Sequence, residues 1–266
     1  MGTLLLAKHF EQIGARVVLN EIKPRSRQRA GIDIVSDKAG EYYEIRLAPD
    51  QPVQYEAVDL QPRLRHLLLL ARYENGRKDK FLCGHDERHW FVCGVPDRRG
   101  IASVVQAMQA LQPLEVSVEA QRTIKRPQAR LSRRNKVFVR QGEWFFLPEA
   151  ELVVDERLIH HNEPIMRSSG GKPHYCEQLY RMGGEVVMVC RAYRQGISIP
   201  EYRRLLESRP EMVKLNWRAM RRGAAAFVRG RISHPDHKTI VLPFWHRVLM
   251  NTENEAPGFS HVAFLD

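Results

Sequence analysis

Cysteine is scarce, at four residues in 266. That is too few for the disulfide framework that holds small secreted chains together. Long apolar runs are missing too. None is longer than residues 67–71 (Leu-Leu-Leu-Leu-Ala), and a spanning helix needs about 20 consecutive apolar residues. The opening Met1-Gly-Thr-Leu-Leu-Leu-Ala-Lys-His9 has no basic stretch before its leucines and no apolar stretch of signal-peptide length. Leu6 stands where a myristoylation signal carries Ser or Thr. These absences lead us to expect no membrane partner and a reducing, cytoplasmic compartment. No segment repeats at a fixed period.

Acidic residues are the other deficit. Lys and Arg number 42 against 31 Asp and Glu, a formal charge of +11. Such a surplus attracts polyanions. The cations come in blocks. Residues 120–142 contain no acid but hold Arg122, Lys125, Arg126, Arg130, Arg133, Arg134, Lys136 and Arg140. A second acid-free stretch covers 212–235, and a short block spans 23–29. Pro127 and the lack of an apolar period mark 121–135 as an exposed basic linker. The reading is therefore an N-terminal α+β domain over 1–120, the linker, and a C-terminal α+β domain over 136–266. Both are expected to be mixed, mainly antiparallel β domains with flanking helices.

In the first domain, Leu4, Leu5, Ala7, Phe10 and Ile13 form a helical stripe. Residues 16–22 alternate as a strand. Residues 32–35 and 42–47 read as a hairpin around 37–40, with strands at 66–72 and 81–95 and a core-facing helix over 100–111. In the second domain, two short strands flank a Gln141-Gly142 turn, and 186–190 forms another strand. Ser198-Ile-Pro-Glu201 and Ser208-Arg-Pro-Glu211 have capping-box spacing, which predicts helices over 200–207 and 210–222. Strands over 225–232 and 239–250 complete the domain.

A four-residue turn at 37–40 would set Asp33 opposite Glu44. Like charges directly opposite destabilise a ladder, so a cation is expected there, either a divalent ion or Arg46 on the diagonal. The succession of helix, strand, Gly31-Ile-Asp-Ile-Val35, turn, and Tyr43-Glu-Ile-Arg46 resembles the metal-binding hairpin of PD-(D/E)xK nucleases over residues 7–47. The resemblance implies that Asp33 and Glu44 hold Mg²⁺ and that Asp33, Glu44 and Arg46 form a phosphodiester-cleaving site. Arg46 stands where that family carries Lys, and a guanidinium does not release its proton.

Four further constellations stand out. Cys83, His85, His89 and Cys93 offer a Cys₂His₂ set on one hairpin. His160, His161, His174, His234, His237 and His246 populate the second domain, where 234 and 237 with 246, joined by His174 and Cys176, are candidates to converge. Arg167-Ser-Ser-Gly-Gly-Lys172-Pro-His174 has the composition of an anion-binding nest before a short helical stretch at 175–182. On the expected helix 210–222, Lys214, Arg218, Arg221 and Arg222 share a face beside Trp217, a pattern suited to phosphates and a stacked base. The leading expectation is nucleic-acid binding through Arg126, Arg130, Arg133, Arg134, Lys136, Lys172, Lys214, Trp217, Arg218, Arg221 and Arg222. The alternatives are the Mg²⁺-dependent nuclease and an assembly subunit that meets an acidic protein partner.

Overall fold

The computed structural model describes residues 2–22, 30–49, 52–96, 100–166 and 172–255. The chain is α+β, with mostly antiparallel sheets and flanking helices. It forms two compact units. One takes the chain through Lys136 and again from Asn251, and the other comprises Val137–Met250.

The first unit opens with helix α1 (Gly2–Gln12), strand β1 (Val17–Glu21) and the hairpin of β2 (Gly31–Asp37) and β3 (Gly40–Leu47). The hairpin has the register its alternation dictates. Asp33 opposes Glu44, and Asp37 pairs with Gly40 across Lys38-Ala39. β1 runs parallel to β3 on its other side. The remaining strand pairs among the described residues are antiparallel.

Next comes a four-stranded meander of β4 (Val53–Gln61), β5 (His66–Tyr73), β6 (Lys78–Asp86) and β7 (His89–Val95). The apolar run 67–71 lies in the interior strand β5 and is buried throughout. A strand covered on both faces reads as a continuous apolar run rather than an alternating one. Leu67, Leu69 and Cys83 pack against Phe10, Ile13, Tyr43 and Ile45. Leu68, Leu82 and Cys93 pack on the opposite face with Val104 and Ala107 of helix α2 (Val104–Ala110). The buried stripe of α1 is Leu6, Phe10 and Ile13, while Leu5 is exposed. Phe10 and Ile13 are buried as expected, and Leu6 takes the inward place expected of Leu5.

Two residues fix the start of α2. The Ser103 hydroxyl accepts from the Gln106 amide at 3.2 Å, and Asp59 of β4 accepts from the Val104 amide at 2.7 Å. Helix α3 (Leu114–Thr123), which the sequence reading left unassigned, follows and buries Val116 and Ala120. The segment expected as a linker therefore begins inside α3. It continues as a 3-10 turn, Pro127–Leu131, in which Arg130 Nε donates to the Ile124 carbonyl at 2.7 Å. Thr252, far along the chain, also belongs to this unit. Its amide donates to the Leu111 carbonyl at 3.1 Å and its hydroxyl to the Ala110 carbonyl at 2.6 Å, which satisfies acceptors that the end of α2 leaves open.

The second unit contains β8 (Val139–Gln141), β9 (Trp144–Pro148), β10 (His160–Ile165), β11 (His174–Met182), β12 (Glu185–Val189), β13 (Ile197–Ser198), helix α4 (Ile199–Ser208), β14 (Arg218–Arg222), β15 (Ala225–Ser233) and β16 (Ile240–Met250). Six strands form one sheet in the order β10-β11-β15-β16-β9-β8, and three form a second, β13-β12-β14. Trp144, Phe146, Ile165, Leu179, Val228, Ile232, Leu242 and Val248 form the core on the larger sheet.

Two expectations for this unit are corrected. Residues 175–182 are not helical but form β11, where buried His174 and Cys176 alternate with exposed Tyr175 and Glu177, a period of two. Residues 210–222 are not one helix either. A 3-10 turn, Pro210–Lys214, leads into β14, which pairs with β12 by matching Val187 to Met220 and Val186 to Arg221. The backbone of β12 needs that partner, and sheet pairing overrides the local helix signal. The first capping box does form. The Glu201 carboxylate accepts from the Ser198 amide at 2.8 Å, and the Ser198 hydroxyl accepts from the Glu201 amide at 3.4 Å. The second does not, because the Ser208 hydroxyl donates back to the Leu205 carbonyl at 3.1 Å.

Candidate functional site

One end of the six-stranded sheet brings three imidazoles together. His174 is the first residue of β11. His234 directly follows β15, and His237 lies in the connection to β16. Because β11 and β15 are neighbours with Tyr175 opposite Ser233, the β15–β16 connection arrives beside His174. The ring centroids stand 4.1 Å apart for His174–His234, 4.6 Å for His234–His237 and 5.5 Å for His174–His237. The planes are near parallel, at 23° to 27°. One ligand nitrogen from each ring lies within 4.8 Å of the others. His174 is buried, and His234 and His237 are half-buried.

The surroundings hold this geometry. Gln141, buried at the end of β8, donates from Nε2 to the Lys238 carbonyl at 2.7 Å, tying the β15–β16 connection to the β8–β9 hairpin. Lys172 Nζ meets the Asp236 carboxylate at 2.7 Å. The Asp236 amide donates to His234 Nδ1 at 3.1 Å, so His234 carries its proton on Nε2, which faces the Lys172 carbonyl at 3.2 Å. Gly142, in the hairpin turn, has φ +56, and a Cβ built there would lie 2.7 Å from His237 Nε2 and 3.5 Å from His174 Nε2. Only glycine suits both that backbone angle and that approach. Trp144 sets its ring edge-on to His174 at 6.3 Å, and its buried Nε1–H has no hydrogen-bond partner among the described residues.

The other expected members of the histidine group stay apart. His246 stacks on Phe244 at 4.7 Å, and its Nδ1 faces the Phe244 carbonyl at 2.8 Å. His160 and His161 are exposed on β10. Cys176 joins the apolar core, where burial pushes its thiol up to about 12. The set Cys83, His85, His89 and Cys93 does not converge. The register pairs Leu82 with Cys93 and Cys83 with Val92, so the two thiols point to opposite faces of the sheet, into different cores. Burial raises the Cys83 thiol well above its ordinary range. His89 Nδ1 lies 2.6 Å from the Glu41 carboxylate. Burial, with Arg65 nearby, lowers the pKa of His85.

Asp33 and Glu44 do face each other, with Arg46 as the cation beside them. Arg46 Nη1 is 2.8 Å from Glu44 Oε2 and 3.7 Å from Asp33 Oδ2. Asn20 of β1 donates to the other Glu44 oxygen at 2.6 Å. Among the described residues, His174, His234 and His237 form the one cluster of three or more metal-ligating side chains.

The cations named from sequence divide by environment. Arg130 is spent on the Ile124 carbonyl. Arg133 pairs with Asp86 and, at 2.6 Å, with Glu87. Arg126, Arg134 and Lys136 are exposed. In the second unit Lys214, Arg218 and Arg221 are exposed, while Arg222 pairs with Glu185 at 2.8 Å. Trp217 is fixed between Tyr193, stacked at 5.4 Å, and Tyr202, edge-on at 4.9 Å, and its Nε1 donates to the Met212 carbonyl at 2.8 Å. The segment 167–171, with most of the expected anion nest, lies outside the described residues. No helix among the described residues is long and apolar enough to cross a membrane. Compared with known protein families, with curated proteins and with solved structures, the chain matches none.

Proposed function

We propose that the protein binds nucleic acid through the basic surface around the small sheet of its second unit. One observation carries this reading. Arg191, Arg194, Arg203, Arg204, Arg209, Lys214, Arg218 and Arg221 are all exposed, and the only acids across 190–235 are Glu201, Glu207 and Glu211. Glu201 is already engaged by Ser198 in the helix cap, and this holds its carboxyl below the usual range. Arg218 and Arg221, expected to share a helix face, point to opposite faces of strand β14, but exposed cations in this excess neutralise phosphates and release their counterions without needing a base-specific contact. Trp217 serves the surface as a half-buried support for α4 and β14, and its packing between two tyrosines favours that role over stacking on a base.

The test is fluorescence anisotropy with labelled single- and double-stranded DNA and RNA across about 50 to 200 mM salt. Binding should weaken steeply with salt, and Arg218→Gln with Arg221→Gln together should flatten the log–log slope by about 1.4 to 1.8. An unchanged slope in the double variant would move the contact elsewhere. Failure of nucleic acid to compete with an acidic polypeptide would favour the protein-partner reading instead. Cleavage that disappears in EDTA and in Asp33→Ala would favour a Mg²⁺-dependent nuclease acting through Asp33 and Glu44.

A further inference from the structure

We infer that His174, His234 and His237 form a binding site for one Zn²⁺-type divalent cation. This inference stands apart from the nucleic-acid reading, because it uses different residues and a different readout. Three imidazoles with no carboxylate or thiolate among them suit borderline ions such as Zn²⁺, Co²⁺, Ni²⁺ or Cu²⁺, and not Mg²⁺ or Ca²⁺, which take oxygen ligands.

The spacing fits. Two nitrogens each about 2.1 Å from one tetrahedral ion stand about 3.4 Å apart, and the nitrogens here already lie within 4.8 Å of one another. Turning the near-parallel rings toward a common point closes the difference. The supporting contacts fit as well. Metal-bound histidines commonly donate their second ring N–H to a carbonyl, and His234 Nε2 faces the Lys172 carbonyl in this way. That leaves His234 Nδ1 as the lone-pair nitrogen, and the ion would replace the Asp236 amide that Nδ1 now accepts from. Gln141, the Lys172–Asp236 pair and the space left by Gly142 hold the two chain segments at this distance before any ion arrives. Three protein ligands also leave a fourth position for water, an acceptor of the kind that the buried indole N–H of Trp144, on the ring packed against His174, lacks.

The experiment uses the full, untagged chain. Zn²⁺ content is measured after equilibrium dialysis, and affinity by competition with a chromophoric chelator. We expect one Zn²⁺ per chain, at least tenfold weaker binding in His234→Gln and in His237→Gln, and no change in His160→Ala. Co²⁺ should give visible bands without the near-ultraviolet band of a thiolate ligand, and should quench tryptophan fluorescence through Trp144. If the variants fail to fold, the Co²⁺ spectrum of the unaltered chain decides. Lack of stoichiometric binding, a thiolate band, or equal affinity in folded His234→Gln and His237→Gln would overturn the assignment.

Discussion

Replacing Gly142 by Ala tests how tightly the histidine cluster is built. Gly142 has φ +56, in the left-handed region, which costs an L-residue about 1–2 kcal/mol. The new methyl would also meet His237 Nε2 at 2.7 Å. Pushing that ring off its rotamer adds about 0.5–1.5 kcal/mol. The expected loss is therefore roughly 1.5–3.5 kcal/mol. Gly223 provides the control within the same unit. It has φ +70, and nothing lies within 4 Å of a Cβ built there, so Gly223→Ala should show the backbone cost of about 1–2 kcal/mol alone. Urea unfolding in EDTA, followed by circular dichroism, measures both. With a slope of about 2 kcal/mol per molar, an excess of about 1 kcal/mol displaces the midpoint by about 0.5 M. The same variant should bind Zn²⁺ more weakly, because the displaced ring carries one of the ligands. A Gly142→Ala chain as stable as Gly223→Ala would refute the close approach of His237 to the hairpin turn.

Arg46→Met should destabilise the first unit by about 1–2 kcal/mol, because it leaves two carboxylates directly opposite on the ladder and removes a charged hydrogen bond. Glu44→Gln in that background should recover part of the loss, read as a non-additive double-mutant cycle, and additive effects would refute Arg46 as the counter-ion. All four cysteines are buried and none is in a disulfide, and burial holds the Cys176 thiol up near 12. A colorimetric thiol reagent at pH 8 should therefore react with none of them in the native protein and with four per chain in guanidinium. A rapidly reacting native thiol would contradict the burial.

Local patterns carried much of the fold. The register of the 31–47 hairpin was legible because its turn and its alternation lie in one short stretch, although both strands run further toward the turn than expected. The run 67–71 marked the strand buried on both faces. The Arg-rich segment 210–222 misled because its cap spacing and charge suit a helix. Its partner, β12, lies more than twenty residues earlier, and nothing in either segment names the other. The histidine group was legible in part. The sequence put forward His174, His234, His237 and His246 as candidates to converge, but the register of β16 on β15, which sets His246 opposite Val228, carries it away from the three that do. Gly142 was read as a turn residue and nothing more. Its second role, leaving room for two imidazoles, depends on β8 lying at the far end of the chain's six-stranded sheet order and still reaching the β15–β16 connection through Gln141.

The contact between Thr252 and the end of α2 has a consequence for biosynthesis. Thr252 lies 142 residues beyond Ala110, and ribosomes add about 5–20 residues per second. The closing carbonyls of α2 would therefore wait roughly 7–30 s for their partners while the whole second unit is being made. Throughout that interval the nascent first unit lacks the residue that satisfies the Ala110 and Leu111 carbonyls.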